Sequence, residues 1–586
     1  MTKLHGKDST CLLFLLIAIG LVLFVTAIHG VYIIDEDNYM VSALALRDGS
    51  FTVQRTKNLT PSRELNYFDP EARQRPISST PIVALAPPLY AFIALPFSLL
   101  GWPGFFLVNC LSLLVAGFLV FKYVQAHTEH RLTPWMACIS LLLGSYCLEY
   151  AQGVWPHMLS MALCTAGFIL CSRGCQNQRV ALVALAGLVM GIAVGVREQN
   201  VVFAVCVGVT ILLAPSRRLT STLSYGASVA VPLIVISLIN LARLDVFHPF
   251  PKVFAYVSDV SQTGASNVLE PFQVFWAKVV DFSYHARLDQ PFMYRAPGSG
   301  AVFVGGVMKK AWLQSAPWIG LSLISLVVAW RIPYRSRAKT HEQLRKISLV
   351  VFPVLLMIAF AGFARHDGMS FNQRYFIELL PLAAISLALI LDGFEIKITP
   401  LIIGFFVGIL FVFLTLQAQS PFVRNMAQLK LPLILAALLI AGTYLYRFHR
   451  SILSISLGAC LGWAVAIHVG TDVAESRSKR KDNLDRFQIY SRVVPNHSAF
   501  FTYWGNKDAA GPLQLDRDVV ILDLHADDGE TAPQLVKELL AQKRRVFVLL
   551  IDVPEKTILE VVGGYAFRRF SESYMDFIEI YDTPPQ

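Results

Sequence analysis

The sequence predicts an all-α polytopic membrane protein of about 13 transmembrane helices, closed by a small C-terminal α/β domain outside the bilayer. Three observations carry this. The 586 residues are 55% hydrophobic and 15% charged, with a mean hydropathy of +0.54; a soluble globular chain carries about 25% charged residues. The apolar residues gather in runs of 15 to 24 between short charged breaks. Beyond residue 471 those runs stop, and short β-rich segments alternate with helical ones. A soluble enzyme, a disordered chain and a fibrous repeat are excluded. So is an outer-membrane barrel, whose strands alternate every second residue.

The net charge is +10 and the pI about 9.1. Most of the surplus lies in short loops between apolar runs, so it is a topological signal and no nucleic acid partner is expected. The nine cysteines sit in apolar runs or at their edges, with no disulfide framework and no zinc spacing. Cys171 and Cys175 are read as membrane-edge packing.

The first run, Cys11 to Ile34, is 24 residues long and ends in Asp35-Glu36-Asp37 with no small-residue cleavage site, so it reads as a retained span. Further runs lie near 81–100, 103–121, 134–148, 155–171, 180–196, 200–214, 222–243, 312–330, 347–364, 374–391, 400–417, 431–447 and 453–470. The loop 331–346 carries six Lys or Arg against Glu342 alone, and it marks the cytoplasmic side together with Arg173/Arg179, Arg217/Arg218 and Arg447/Arg450. The N-terminus is then cytoplasmic, and the loops 35–80, 244–311 and 365–373 and the tail face outward. Lys122 to Thr133 also looks cytoplasmic, which allows one crossing, not two, between 81 and 121. Part of 81–104 is therefore expected to be a non-spanning or re-entrant helix, interrupted by Pro81, Pro87, Pro88, Pro96 and Pro103.

This divides the chain into a transmembrane domain, 1–470, and a soluble extracytoplasmic domain, 471–586. In the tail, Ser476 to Arg486 reads as a charged linker. Strands are expected at Ala499–Tyr503, Val519–Leu524 and Arg545–Ile551, a helix at Ala532–Gln542, and a final hairpin from Tyr565–Ser571 and Met575–Tyr581. There is no GxGxxG or P-loop. His525, Asp527 and Asp528 follow a strand but read as a solvated loop.

The most informative segment is Asp35-Glu36-Asp37-Asn38-Tyr39, where the first helix leaves the bilayer. Partly desolvated carboxylates suit a general base, and they equally suit an acidic stop to the helix. The Asp-Glu-x-x-Tyr pattern resembles the GT-C superfamily of membrane glycosyltransferases, which use sugars carried on polyprenyl or dolichyl phosphate. Three further segments follow in that superfamily's order: Pro87-Pro88-Leu89-Tyr90 leading to Leu100-Gly101; Gly187, Gly191 and Gly195 leading to Arg197; and Gly368 to Gln373 leading to Arg374-Tyr375 and Pro381. The resemblance covers roughly 30–470 and is closest to bacterial protein mannosyltransferase-like and lipid A aminoarabinose transferase-like enzymes.

That resemblance implies an inverting transferase. It would move one sugar from a polyprenyl-phosphate carrier to a hydroxyl of a lipid, glycan or protein acceptor, on the outer face of a bacterial inner membrane and in contact with membrane lipid. A phosphate is already a good leaving group, so the chemistry needs a base and cations rather than a general acid. Asp35 matches the superfamily's base, with Glu36 and Asp37 as fallbacks. Arg197 and Arg374 are the implied phosphate clamps, since a guanidinium offers a bidentate fork; Tyr375 and His157 join them on the donor side. Glu198 offers Arg197 a local partner, and a plain snorkelling role stays open for each Arg. Tyr39, Tyr90, Glu149 and Gln373 are expected in the substrate pocket.

Two departures stand out. Some relatives carry a second acid where this chain has His157, with Glu149 eight residues earlier; the lipid A branch carries a Lys where this chain has Ala86. The sequence calls for no cofactor, and it leaves a divalent metal open without indicating one. Aromatic residues of the loop 244–311, among them Phe272, Trp276, Tyr284 and Tyr294, suit either a sugar-stacking lid or packing on the membrane surface. The rival class is a transporter or flippase of an anionic lipid-linked sugar, for which no internal repeat is found.

Overall fold

A computed structural model describes residues 2–47, 49, 58–59, 87–213, 218–244, 246–250, 270–284, 293–304, 306–331, 338–360, 372–502, 506–513, 517–523, 532–550, 562 and 564–582. Of the segments singled out above, 81–86, Gly368 to Phe371, and His525, Asp527 and Asp528 lie outside the described residues, as does most of the loop 35–80 beyond Arg47.

The described chain begins with α1 (Thr2–Thr26), α2 (Ile34–Arg47), α3 (Pro88–Ala94), α4 (Trp102–His127), α5 (Leu132–Leu142), α6 (Cys147–Ala151), α7 (His157–Gln176), α8 (Val180–Val196), α9 (Asn200–Leu212) and α10 (Arg218–Leu244). Among the described residues eight helices are long and apolar enough to cross a membrane, from Asp8–Thr26 to Arg450–Val493, and five shorter apolar helices accompany them. The first span shows why the sequence reads this way. Leu12, Leu16 and Leu23 are buried, whereas Leu13, Phe14, Leu21, Val22 and Val25 face outward, which only a lipid solvent tolerates in such number. At the centre, the helix Leu380–Leu391 is buried at every residue but Ile390.

Small residues set the close helix contacts. A Cβ at Gly187 would lie 2.4 Å from the Tyr225 carbonyl of α10, and one at Gly404 would lie 2.0 Å from the Ile455 carbonyl. Apolar helices in lipid gain no hydrophobic drive from meeting each other, so backbone approach and dispersion decide the pairing. The segment after Pro87 is interrupted as expected: α3 gives way to a 3₁₀ stretch, Leu95–Leu100, with Pro96 at its start. Gly101 then takes φ 67°, a conformation that favours glycine, and α4 follows.

The described part of the loop 244–311 holds a helix, Glu270–Val279, and a small antiparallel sheet of β2 (Met293–Arg295), β3 (Val302–Val304) and β4 (Val307–Met308), preceded in the chain by β1 (Asn58–Leu59). Tyr294 stacks on Phe303 with ring centres 5.1 Å apart.

The C-terminal domain is α/β. Strands β5 (Ser498–Thr502), β6 (Val519–Asp523) and β7 (Arg545–Leu549) run parallel, and the hairpin β8 (Ala566–Glu572) and β9 (Met575–Tyr581) adds antiparallel to β7. The helix Ala532–Ala541 lies between β6 and β7 in the chain. The sheet order is β1-β6-β5-β7-β9-β8, so β1, from the first long loop, supplies an edge strand to the distant domain.

One expectation is corrected. The segment read as a charged linker is helix, Val473–Val493, continuous with the last span through a π turn at His468–Asp472. Its buried positions include Ser476, Arg480, Asn483 and Tyr490. These recur at helical spacing, but most are polar, so no apolar stripe betrays them.

Candidate active site

The three acids open α2, where carboxylates complement the exposed amides of a helix start. Asp35 lies in that first turn, and its side chain lies outside the described residues. Glu36 is fully buried and bound on both oxygens. Oε2 accepts from the Tyr32 amide at 2.7 Å and from Arg480 Nη1 at 2.8 Å; Oε1 accepts from the Val154 amide at 2.8 Å and from Arg480 Nη2 at 2.7 Å. A carboxylate holding four donors has no lone pair left to take a proton from a substrate. The fallback role expected of Glu36 is therefore corrected to that of a clasp. Asp37 is 2% exposed, and neither of its oxygens makes a hydrogen bond. Burial pushes its carboxyl well above the ordinary range, and Asp508 and Glu36 add to the rise. Behind this turn, Tyr39 meets the fully buried Tyr90 edge-on at 5.1 Å.

The donor-side residues come from three elements. Arg197 ends α8 and is 8% exposed. Its partner is not the neighbouring Glu198 but Glu378, whose Oε1 accepts from Arg197 Nη1 at 2.5 Å and from Ser160 Oγ at 2.6 Å. Asn200 Nδ2 donates to Ser160 Oγ at 2.7 Å and completes the chain. Arg374 opens a 3₁₀ turn, Arg374–Leu379, and lies 5.3 Å from the Tyr375 ring centre, with Nη2 3.4 Å from the phenol oxygen. His157 heads α7, and the charges of both Arg197 and Arg374 reach its ring. Both guanidinium groups thus lie within electrostatic reach of His157, and Glu378 ties Arg197 to the turn that Arg374 opens. Neither nitrogen of the buried His157 makes a hydrogen bond, and its ring packs on Tyr150 at 5.0 Å and Trp155 at 5.6 Å.

Glu149, on α6, connects this neighbourhood to a buried polar network. Asn372 Nδ2 lies 2.9 Å from both Glu149 Oε2 and Asp472 Oδ2. Asp472 also pairs with Lys310 at 2.5 Å and with His468 Nδ1 at 3.0 Å. Gln373 is fully buried, donates to the Lys310 carbonyl at 3.0 Å and accepts from Tyr146 through its own carbonyl at 2.9 Å. Burial pushes the Glu149 carboxyl up to about 8; Asp472 reinforces the rise, which Asn372, Lys310 and Lys309 oppose. Tyr32 lies within electrostatic reach of both Glu149 and Glu36, so this network adjoins the acid turn of α2. Among the described residues no group of three His, Cys, Asp or Glu is placed to hold a metal ion.

Sequence reasoning missed Glu378, Arg480, Asp472 and Lys310. Glu378 lies four residues beyond Arg374 in the same motif segment and was within reach. Arg480 stands in a charged run with nothing local to single it out.

The site is thus a set of guanidinium groups, a histidine and buried carboxylates near the ends of the helices of an apolar bundle. The comparisons with known proteins bear on the fold. No protein-family model and no curated protein matches it in sequence. In structure it is similar to ArnT from Cupriavidus metallidurans bound to undecaprenyl phosphate, with a TM-score of 0.55 and 14% identity over 98% of this chain and 99% of that one. The apo state of the same ArnT matches with a TM-score of 0.55 and 15% identity, covering 99% of this chain and 100% of that one.

Proposed function

We propose that the protein is an inverting glycosyltransferase that moves a sugar from a polyprenyl-phosphate carrier to a hydroxyl of a lipid, glycan or protein. The observation that carries this reading is the tie from Arg197 through Glu378 to the turn opened by Arg374, with both guanidinium groups in electrostatic reach of His157, in a chain that follows the ArnT fold over nearly its whole length. Two guanidinium groups within electrostatic reach of one buried histidine are costly near a membrane and suit a ligand whose negative charge grows. Glu378 takes one N–H of Arg197, and a guanidinium has five.

In the proposed step Asp35 accepts the proton of the acceptor hydroxyl as its oxygen attacks the anomeric carbon. The bond from that carbon to the phosphate oxygen breaks, and Arg197 and Arg374 hold the departing phosphate as its charge rises from about −1 to −2. A single displacement inverts the anomeric centre. Retention would call for a nucleophilic carboxylate about 5 Å from the base. Thirteen crossings, a cytoplasmic N-terminus and an outward C-terminal domain in a bacterial inner membrane complete the reading; they rest on the positive-inside pattern.

The test is sugar transfer in proteoliposomes supplied with polyprenyl-phosphate sugar. Asp35→Asn is expected to lose transfer and keep donor binding. Flux of the lipid-linked sugar without any glycosidic product would overturn the reading in favour of transport. Mass spectrometry of envelope glycans after gene deletion would identify the sugar that disappears.

A further inference from the structure

The helix that leaves the last span touches both halves of the proposed site. It runs unbroken from Arg450 to Val493, with one π turn at His468–Asp472. Two buried side chains on it act as anchors. Asp472 holds Asn372, two residues before Arg374, at 2.9 Å. Arg480 holds Glu36, the residue after Asp35, through a bidentate pair at 2.7 and 2.8 Å. Asn372 and Glu36 are themselves buried.

The surroundings make each anchor specific. Around Arg480, Nη1 also donates to the Gly30 carbonyl at 2.8 Å, and the guanidinium lies 5.5 Å from the Tyr32 ring centre and 5.6 Å from that of Phe106. One turn on, Asn483 Nδ2 donates to the Val31 carbonyl at 2.8 Å. The whole bend from Gly30 to Glu36 is therefore seated on this helix. Around Asp472, Lys310 and His468 fix the carboxylate, while Gln373 is tied to the Lys310 carbonyl. A π turn inserts one residue into the helix and is frequent beside functional sites. Here it carries Asp472.

We infer that Asp472 and Arg480 are positioning residues, and that the helix between them is a strut fixing the distance from the base-bearing turn of α2 to the phosphate-holding turn at Arg374. Eight residues of helix span about 12 Å. A sugar with its phosphate must bridge two such halves in one orientation, and misplacement of about 1 Å is enough to cost rate. The inference rests on the glycosyltransferase reading, and it makes the segment 473–493 part of the catalytic unit rather than a tether.

The two anchors predict opposite kinetic signatures. Arg480→Lys keeps the charge and loses the bidentate fork; it loosens the base and should lower kcat at least tenfold with donor KM within threefold. Asn372→Leu cuts the other anchor while sparing the Asp472–Lys310 pair; it should raise donor KM at least tenfold with kcat within threefold. Asp472→Asn should match Asn372→Leu if it folds. Amide exchange in proteoliposomes without substrate supplies a readout independent of activity. It should rise within 34–40 in Arg480→Lys and within 372–379 in Asn372→Leu, each without the other. Parallel loss of kcat and donor affinity in both variants, or exchange rising in both segments together, would overturn the strut. Absence of transfer by the wild-type chain would overturn the glycosyltransferase reading instead, and the exchange pattern alone would then decide the strut.

Discussion

Arg197 and Glu378 are 181 residues apart in the chain and form an ion pair in the interior, with side chains 9% and 4% exposed. Neither charge has bulk water to fall back on. Removing one partner strands the other, at a cost of about 3–5 kcal/mol. Glu378→Met should therefore lower the unfolding midpoint in detergent sharply. Adding Arg197→Met should restore most of it, since a well-packed apolar pair of similar size is often neutral. Transfer should be lost in the double variant, because the proposed phosphate site loses one of its two proposed clamps. Thermal unfolding and transfer measured on the same preparations check both halves.

Glu149 gives a pH dependence with a definite sign. Burial pushes its carboxyl up to about 8 in the folded protein, from the 4.5 of an exposed glutamate. Between these values the folded chain keeps a proton that the unfolded chain has released, so stability falls as pH rises through the window and levels off above about 8. Glu149→Gln mimics the protonated form and can still accept from Asn372. It should flatten the slope and be the more stable form above that window, as denaturant titrations at several pH values would show.

A variant of Asp37 tests the assignment of Asp35 as the proposed base. Burial pushes the Asp37 carboxyl well above the ordinary range, with Asp508 and Glu36 adding to the effect. Asp37→Asn should stabilise the fold at neutral pH and leave transfer within about threefold, whereas Asp35→Asn is expected to abolish it. Transfer lost in Asp37→Asn, with Asp35→Asn active, would reassign the base.

The clasp has no room for a methyl group. A Cβ on Gly153 would sit 2.6 Å from Glu36 Oε1 and 2.7 Å from Arg480 Nη2, and one on Gly30 would sit 2.1 Å from the Arg480 carbonyl. Gly153→Ala should cost about 1–3 kcal/mol by overpacking, with raised exchange in α2. Gly30→Ala should cost more, because backbone has to move rather than side-chain tips.

The sequence alone determined the elements. Each span is a local run of apolar residues, and hydropathy reports it without knowledge of any partner; the interruption at Pro96 and the hairpin Met575–Tyr581 are equally local signals. Loop charge also leads to the expectation that His157, Arg197 and Arg374 share one side of the membrane.

Only the tertiary structure decided the partners. It turned Glu36 from an expected fallback base into a clasp for Arg480, gave Arg197 to Glu378 rather than Glu198, and made a helix of what read as a linker. An ion pair between residues hundreds of positions apart leaves no periodicity in either segment. A polar face buried against other polar groups looks, in sequence, the same as one facing water. The pairing becomes legible only when the bundle closes and removes the solvent that each charge would otherwise have used.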